Sequence, residues 1–176
     1  MKLKKILSRF LKLHKKEIDL SLDRIKNLCK KLGNPQNKIN TISFVGTNGK
    51  NSTIQESYSI LKEAGIKCNV YTSPHIQKIN DNKPITFFEI LTACFFHKAA
   101  QYPKNLNLVE AGLFHRFDAT NILKNNMASV ITSISKDHLD WLPENERTID
   151  KIIYEKTSKL LNSNIIVAKQ NTRETM

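Results

Sequence analysis

Cysteine, histidine and long apolar runs are all scarce in this sequence of 176 residues. The three cysteines, Cys29, Cys68 and Cys94, are odd in number, far apart and in no C-x-x-C pair, which predicts a reduced, cytoplasmic chain. The five histidines show no zinc-ligand spacing. The longest apolar stretch, residues 85–96, is interrupted by Glu89 and is too short to span a membrane. The sequence therefore predicts neither a disulfide framework, a zinc site nor a transmembrane helix.

Acidic residues are also few, because 16 Asp and Glu stand against 28 Lys and Arg, giving a net charge of +12. Such a balance invites a nucleic-acid or acidic-membrane partner. However, the lysines are spread along the chain, aromatic residues do not alternate with them, and no arginine-rich helix is present. We therefore predict no nucleic-acid and no membrane partner, and keep a basic nucleic-acid-binding module as an alternative class.

The few glycines and prolines, five of each, fall at the boundaries of predicted elements. Short apolar runs alternate with amphipathic stretches, which indicates an α/β fold with a mostly parallel sheet and flanking helices, in one domain. The predicted strands are residues 41–45, 67–71, 106–109, 128–134 and 165–168. The predicted helices are residues 22–32, 52–64, 86–101 and 149–161. A further amphipathic stretch, residues 1–16, favours a helix docked on its own domain over a membrane-surface or targeting segment.

The first strand runs into a loop of small and polar residues and then into a helix. In a phosphate-binding loop, glycine lets backbone N–H groups surround phosphate oxygens, the helix presents its positive end, and a lysine supplies charge. Gly46, Gly49 and Lys50 meet these needs, and Ser52 or Thr53 offers a hydroxyl to Mg²⁺. The common pattern needs four residues between its first glycine and the Gly-Lys pair and is not met here, so a plain strand-to-helix turn remains the alternative.

Polar residues also follow the next three predicted strands, at the edge where an open parallel sheet binds its ligands. After Lys50 and Ser52 these are Ser73, Glu110 and His138. A carboxylate, an imidazole and hydroxyls facing a phosphate loop could hold Mg²⁺ against ATP, because Mg²⁺ takes few protein ligands and keeps phosphate and water for the rest. Taken singly, each is equally an ordinary turn or strand-end residue.

Several motifs together resemble the folylpolyglutamate synthase/dihydrofolate synthase family of the Mur ligase superfamily, over about residues 20–168. Gly46-Thr47-Asn48-Gly49-Lys50 resembles the family's ATP loop, which reads Gly-Thr-Asn-Gly-Lys-Gly-Ser. The other similar segments are Thr72-Ser73-Pro74-His75, Glu110-Ala111-Gly112-Leu113, Arg116-Phe117-Asp118-Ala119-Thr120-Asn121 and Asp137-His138-Leu139-Asp140-Trp141-Leu142.

The resemblance implies an N-terminal, Mur-ligase-type ATPase domain and ATP-dependent amide formation through an acyl phosphate. The substrates would be dihydropteroate or a folate with L-glutamate, and the cofactors ATP and Mg²⁺. The implied ATP-binding residues are Gly46, Thr47, Asn48, Gly49, Lys50, Asn51, Ser52 and Thr53. The implied metal ligands are Ser52, Ser73, Glu110 and His138, and the implied substrate contacts are Arg116 and Asp118. Lys50, His138 and Lys156 would be catalytic, with Lys156 matching a lysine that is carbamylated in the family.

The sequence departs from the family in several places. Asn51 replaces a glycine, Phe114 and His115 replace a Gly-Gly pair, residues 157–159 replace Ala-Gly-Ile, and the segment at residues 80–85 is short. The rest of the ATPase sheet and the C-terminal domain of the family have no counterpart in these residues. Two readings follow: a ligase half completed by a separate chain, or a non-catalytic nucleotide- or pterin-binding remnant.

Overall fold

The computed structural model describes residues 21–72, 87–160 and 164–170. Within these ranges five strands form one sheet: β1 (Asn40–Val45), β2 (Cys68–Tyr71), β3 (Leu106–Glu110), β4 (Asn126–Ile131) and β5 (Asn164–Val167). The α-helices in the same ranges are α1 (Asp23–Lys31), α2 (Lys50–Glu63), α3 (Phe87–Ala99) and α4 (Ile149–Thr157). The strand order is β2-β3-β1-β4-β5 and every neighbouring pair is parallel. The predicted α/β fold with a parallel sheet is therefore confirmed.

Helices cover both faces of the sheet through apolar side chains that alternate along the strands. On one face Phe44 and Leu108 pack with Ile54 of α2. On the other face Val45 and Ile131 pack with the region around α4, and a further cluster joins α1 to α3 through residues such as Ile25 and Phe96. No described helix has the length and apolar character that crossing a membrane requires.

Several boundaries differ from the sequence-based expectation, most of them by one or two residues. Strand β4 ends at Ile131 rather than residue 134, because the chain beyond Thr132 turns to contact the loop after β1. Helix α4 ends at Thr157 rather than residue 161, where Leu160 N donates to Thr157 O in a closing turn. Helix α2 begins two residues earlier than expected, at Lys50. The predicted helix over residues 1–16 lies outside the described residues.

Strand β5 is the edge strand next to β4, and its side chains are exposed on both faces. Ile165, Ile166 and Val167 are 54%, 56% and 60% exposed. The chain after β5 is nevertheless anchored, because Gln170 is buried, donates to Thr132 O and accepts from Ile134 N. This end of the described sheet therefore has a fixed backbone and an uncovered apolar surface.

Candidate functional site

The loop between β1 and α2 lies at the carboxyl edge of the sheet and has two glycines with positive φ. Gly46 has φ +140° and Gly49 has φ +83°. A Cβ on Gly46 would collide with the Thr132 side chain, and its distance to the Thr132 carbonyl carbon would be 3.2 Å. Gly46 is therefore required both by backbone conformation and by close packing against the end of β4.

The segment after β4 holds the loop in place. Ser133 O accepts hydrogen bonds from Thr47 N (2.8 Å) and Asn48 N (3.1 Å). The Thr47 hydroxyl donates to Ser135 O and accepts from Ser135 N, both at 3.1 Å. Two backbone N–H groups of the loop are thus already bonded within the protein.

The N–H groups that remain for an anion are those of the first turn of α2. The first hydrogen bond of this helix joins Thr53 N to Gly49 O. The N–H groups of Lys50, Asn51 and Ser52 come before this bond and therefore have no carbonyl acceptor within the helix. The positive end of the helix dipole lies at the same place. The departure at Asn51 does not strain the loop, because Asn51 lies inside the helix and its Oδ1 accepts from Gln55 Nε2 (3.4 Å).

The Lys50 ammonium group folds back over the loop that precedes it. Its Nζ donates to Gly46 O (3.0 Å) and Thr47 O (3.2 Å), and lies 3.9 Å from Oε1 of Glu110 at the end of β3. Burial lowers the pKa of Lys50, while the nearby carboxylates of Glu110 and Asp137 act in the opposite direction. The structure therefore holds the positive charge of Lys50, with the Glu110 carboxylate beside it, at the N-terminus of α2.

A second lysine reaches the same carbonyl from α4. Lys156 is 2% exposed, and its Nζ donates to Gly46 O (3.1 Å) and to Leu113 O (2.9 Å) in the turn after β3. Burial, and secondarily the charge of Lys50, lowers the pKa of Lys156 from its ordinary value near 10.5 to about 8. Lys50 and Lys156 thus converge on one oxygen atom, although they lie in different helices.

Replacing Lys156 with methionine is expected to remove a pH-dependent contribution to stability. The pKa of Lys156 is about 8 in the folded state and near 10.5 in the unfolded state. Below pH 8 the folded protein must bury a charged ammonium, which destabilises it, and this destabilisation decreases as the pH rises from 8 toward 10.5. The free energy of unfolding of the wild type should therefore rise, relative to Lys156→Met, by about 2 kcal/mol between about pH 7.5 and 9.5. Urea unfolding at both pH values measures this difference, and an unchanged difference would contradict the assigned pKa.

Asp118 is buried and shapes the turn after β3. Its carboxylate accepts from Gly112 N (2.9 Å), from Thr120 N (2.9 Å) and from the Thr120 hydroxyl. Burial raises the pKa of Asp118, and these hydrogen bonds act in the opposite direction. The ring of Phe88 lies next to Gly112. A contact between Asp118 and a substrate remains a prediction, and its carboxylate already has three donors within the protein.

Arg116 is paired within the protein. Its Nε and Nη2 donate to the two carboxylate oxygens of Glu155, each at 2.7 Å. Its guanidinium carbon lies 4.2 Å from the Phe117 ring centroid and 5.4 Å from that of Tyr154. The hydrogen bond to Glu155 raises the pKa of Arg116. Arg116 therefore positions Glu155, the neighbour of Lys156, and its predicted substrate contact remains a prediction.

Three of the four predicted metal ligands belong to the described residues, and these three lie at the carboxyl edge of the sheet. Glu110 is buried at the end of β3, and Ser52 is exposed in the first turn of α2. His138 has φ +54°, its Nε2 lies 3.1 Å from Asp137 Oδ2, and burial lowers its pKa. Ser73 lies outside the described residues. Within the described ranges, no three His, Cys, Asp or Glu side chains form a metal-binding group. One carboxylate, one imidazole and hydroxyls fit Mg²⁺ only if phosphate and water supply the other ligands.

The structure thus brings the loop, Lys50, Glu110 and Lys156 together. Sequence reasoning missed Thr132, Ser133 and Ser135, which pack against or bond the loop. A signal for them existed in the short polar run that follows β4, where the carboxyl edge of the sheet was expected.

Comparisons with known proteins agree with this geometry. No family model matches the sequence. The dihydrofolate synthase/folylpolyglutamate synthase of Haemophilus influenzae is 33% identical over 196 aligned residues, covering 97% of this chain and 44% of that protein. The Escherichia coli enzyme of the same name is 34% identical over 167 residues, covering 79% of this chain and 39% of its own length. The chain thus spans less than half the length of these relatives.

Solved structures give the same match. Mycobacterium tuberculosis folylpolyglutamate synthase complexed with ADP superposes with a TM-score of 0.74 at 28% identity, covering 96% of this chain and 44% of that one. Escherichia coli FolC in complex with DHPP and ADP gives 0.73 at 32% identity, covering 88% and 42%. The parallel sheet, its helices and these neighbours define a Mur-ligase-type fold. The chain belongs to the folylpolyglutamate synthase/dihydrofolate synthase family and corresponds to the N-terminal part of its members.

Proposed function

We propose that this chain binds Mg-ATP at the loop of residues 46–53, as the nucleotide-binding part of a ligase that joins L-glutamate to dihydropteroate or a folate. The observation that carries the proposal is Lys50 at the entrance to α2, with its ammonium 3.9 Å from Glu110 and the first-turn N–H groups beside it. Relatives named for this activity, and neighbours bound to ADP, support it.

In the proposed reaction, a carboxylate oxygen of the pterin substrate attacks the γ-phosphorus of ATP, ADP leaves, and an acyl phosphate forms. The glutamate amino group then attacks the acyl carbon, inorganic phosphate leaves with the bonding electrons, and the nitrogen loses a proton. Lys50 and the N–H groups of the first turn of α2 would stabilise charge on the transferred phosphoryl group. Ser52, Ser73, Glu110 and His138 would hold Mg²⁺, which neutralises phosphate charge when bound.

Nucleotide binding, rather than complete ligation, is the activity that we propose for this part of the chain alone. Within the described residues, Arg116 donates to Glu155, and Asp118 accepts from backbone N–H groups of the turn after β3. Because both predicted substrate contacts are bonded within the protein, these contacts favour nucleotide binding as the activity of this part alone. Ligation would also need what the relatives carry beyond the matched part, either in the same polypeptide or in a separate chain. A reducing, cytoplasmic setting belongs to the same proposal and is supported by the three cysteines, which are free thiols.

Replacing Lys50 with alanine is expected to weaken Mg-ATP binding by at least about 30-fold. The reason is that a charge-assisted contact to phosphate contributes about 2 kcal/mol or more. Isothermal titration calorimetry of Mg-ATP into the purified wild type and Lys50→Ala measures this change.

The matched control is Lys62→Ala, which removes an exposed lysine from the last turn of the same helix and should leave the affinity within about twofold. A folded wild-type chain that binds no Mg-ATP would refute the proposed function. Equal affinities of the wild type and Lys50→Ala would place the nucleotide elsewhere.

A further inference from the structure

The amino edge of the sheet, opposite the phosphate loop, gathers lysines that are far apart in the sequence. One exposed lysine stands one or two residues before each of the strands β1 to β4: Lys38, Lys67, Lys104 and Lys124. Because these strands are parallel and lie in the order β2-β3-β1-β4, the four lysines enter the sheet side by side. Neighbouring strands are about 4.8 Å apart, so the four strand entries span about 14 Å. The expectation of no membrane partner rested on the spread of lysines along the chain, and the fold removes that argument.

Hydrogen bonds hold the four strand entries together. Lys67 O accepts from the backbone N–H of the first residue of β3 (2.9 Å). Asn107 Nδ2 of β3 donates to the carbonyl oxygen of the first residue of β1 (2.9 Å). Asn125 Nδ2, just before β4, donates to Asn37 O, just before β1 (2.9 Å). The backbone that carries the lysines is therefore fixed across all four strands.

Acidic residues are nearly absent from this edge. No Asp or Glu occurs in the four segments that lead into the strands, residues 32–39, 64–67, 100–105 and 123–125. Within the described ranges, none of the four lysines forms an ion pair. The last turns of α1, α2 and α3 add Lys30, Lys31, Lys62 and Lys98 against one acid, Glu63. Lysines in a last turn stabilise the helix dipole, but the four at the strand entries lie outside the helices and have no such role.

An exposed apolar side chain accompanies the lysine at each strand entry. Leu32, Ile66, Tyr102 and Met127 are 38%, 43%, 49% and 55% exposed. The first three lie in the segments that lead into β1, β2 and β3, and Met127 is the second residue of β4. An anionic bilayer binds such a surface, because ammonium groups meet the headgroups while apolar side chains enter the interface. RNA would use the charges but not Leu, Ile or Met, since RNA bases bind through aromatic stacking and hydrogen bonds.

We propose that this amino edge docks on an anionic lipid surface. The four strand-entry lysines bind the headgroups, and the exposed apolar side chains beside them enter the interface between headgroups and acyl chains. The docking is separate from nucleotide binding, because the phosphate loop lies at the opposite end of the strands. The loop therefore faces away from the membrane when the edge is docked.

The test is sedimentation of the purified chain, without nucleotide, with vesicles of phosphatidylcholine containing about one third phosphatidylglycerol. We expect binding at low salt, weaker binding at high salt, and no binding to pure phosphatidylcholine. Combining Lys38→Gln, Lys67→Gln and Lys104→Gln should lower the vesicle affinity roughly 100-fold, which is about fivefold for each lysine. Because nucleotide is absent, the result is independent of the proposed Mg-ATP binding.

The matched control combines Lys26→Gln, Lys136→Gln and Lys169→Gln, which removes the same charge from exposed positions outside this edge. It should lower the vesicle affinity by less than about threefold, because those charges lie further from the docked lipid. A variant with Ile66→Ser and Met127→Ser keeps every charge and should lose at least about fivefold in affinity, since it removes the apolar contacts.

Four outcomes would overturn the proposal. A folded wild-type chain that does not sediment with the anionic vesicles at low salt would refute lipid docking. Equal losses in the two lysine triple variants would show that net charge alone attracts the chain. Unchanged vesicle affinity in the variant at Ile66 and Met127 would remove the apolar part of the contact. Tighter binding to single-stranded RNA in a gel-shift assay than to the vesicles would assign the edge to nucleic acid.

Discussion

Replacing Gly46 with alanine is expected to destabilise the fold by about 3 kcal/mol, because the new methyl group adds backbone strain and overpacking at one position. The residue has φ +140°, and its Cβ would collide with Thr132. Thr132 cannot easily move away, since its N–H and its hydroxyl both donate to Val45 O, at 2.8 and 3.1 Å. Urea unfolding followed by circular dichroism measures the change.

Gly65→Ala provides the control for this prediction. Gly65 also has a positive φ, +75°, but a Cβ there would meet nothing within 4 Å. That variant should therefore lose only about 1 kcal/mol from backbone strain. Adding Thr132→Ala to Gly46→Ala should recover part of the loss if the collision causes it. Equal losses at Gly46 and Gly65 would show that packing against β4 is unimportant.

Replacing Asp118 with alanine is expected to lower the free energy of unfolding by about 3 kcal/mol. The change leaves Gly112 N, Thr120 N and the Thr120 hydroxyl without their acceptor in a buried turn. Removing a buried carboxylate also removes its desolvation cost, so the loss is smaller than three separate hydrogen bonds would give. Thermal and urea unfolding of both proteins measure it.

Asp118→Asn distinguishes the hydrogen bonds from the charge. The amide oxygen can still accept, so this variant should lose less than Asp118→Ala. Asp140→Ala, at an exposed position after β4, is the surface control and should change stability by less than about 0.5 kcal/mol. A loss in Asp118→Ala no larger than that of the control would mean that the turn does not depend on this carboxylate.

The sheet was predictable because its signals are local. Each strand is a stretch of four to six residues with recurring apolar positions, and glycine or proline separates all but β5 from the preceding helix or strand. The strand ends then gave the edge at which Lys50 and Glu110 meet. Helix ends were harder to predict because they depend on the turn that follows, as at Thr157.

The contacts of the site were not predictable, because they join residues that are distant along the chain. Lys156 and Gly46 are 110 residues apart, and Arg116 and Glu155 are 39 apart. No spacing rule connects such pairs, since the packing of α4 against the loops decides them. The sequence did point to Phe114 and Asn51 as unusual positions. Only the folded structure shows that Asn51 lies within α2 without straining the loop, whereas the Phe114 ring lies close to the Lys156 ammonium.

The uncovered strand β5 has a practical consequence for handling the isolated chain. Three adjacent apolar side chains on an edge strand, Ile165, Ile166 and Val167, combine high strand propensity with no charge. An edge of this kind can add strands from other molecules and so promote aggregation. Purification at low protein concentration, or a lysine introduced at Ile166, should therefore improve colloidal behaviour without touching the nucleotide loop.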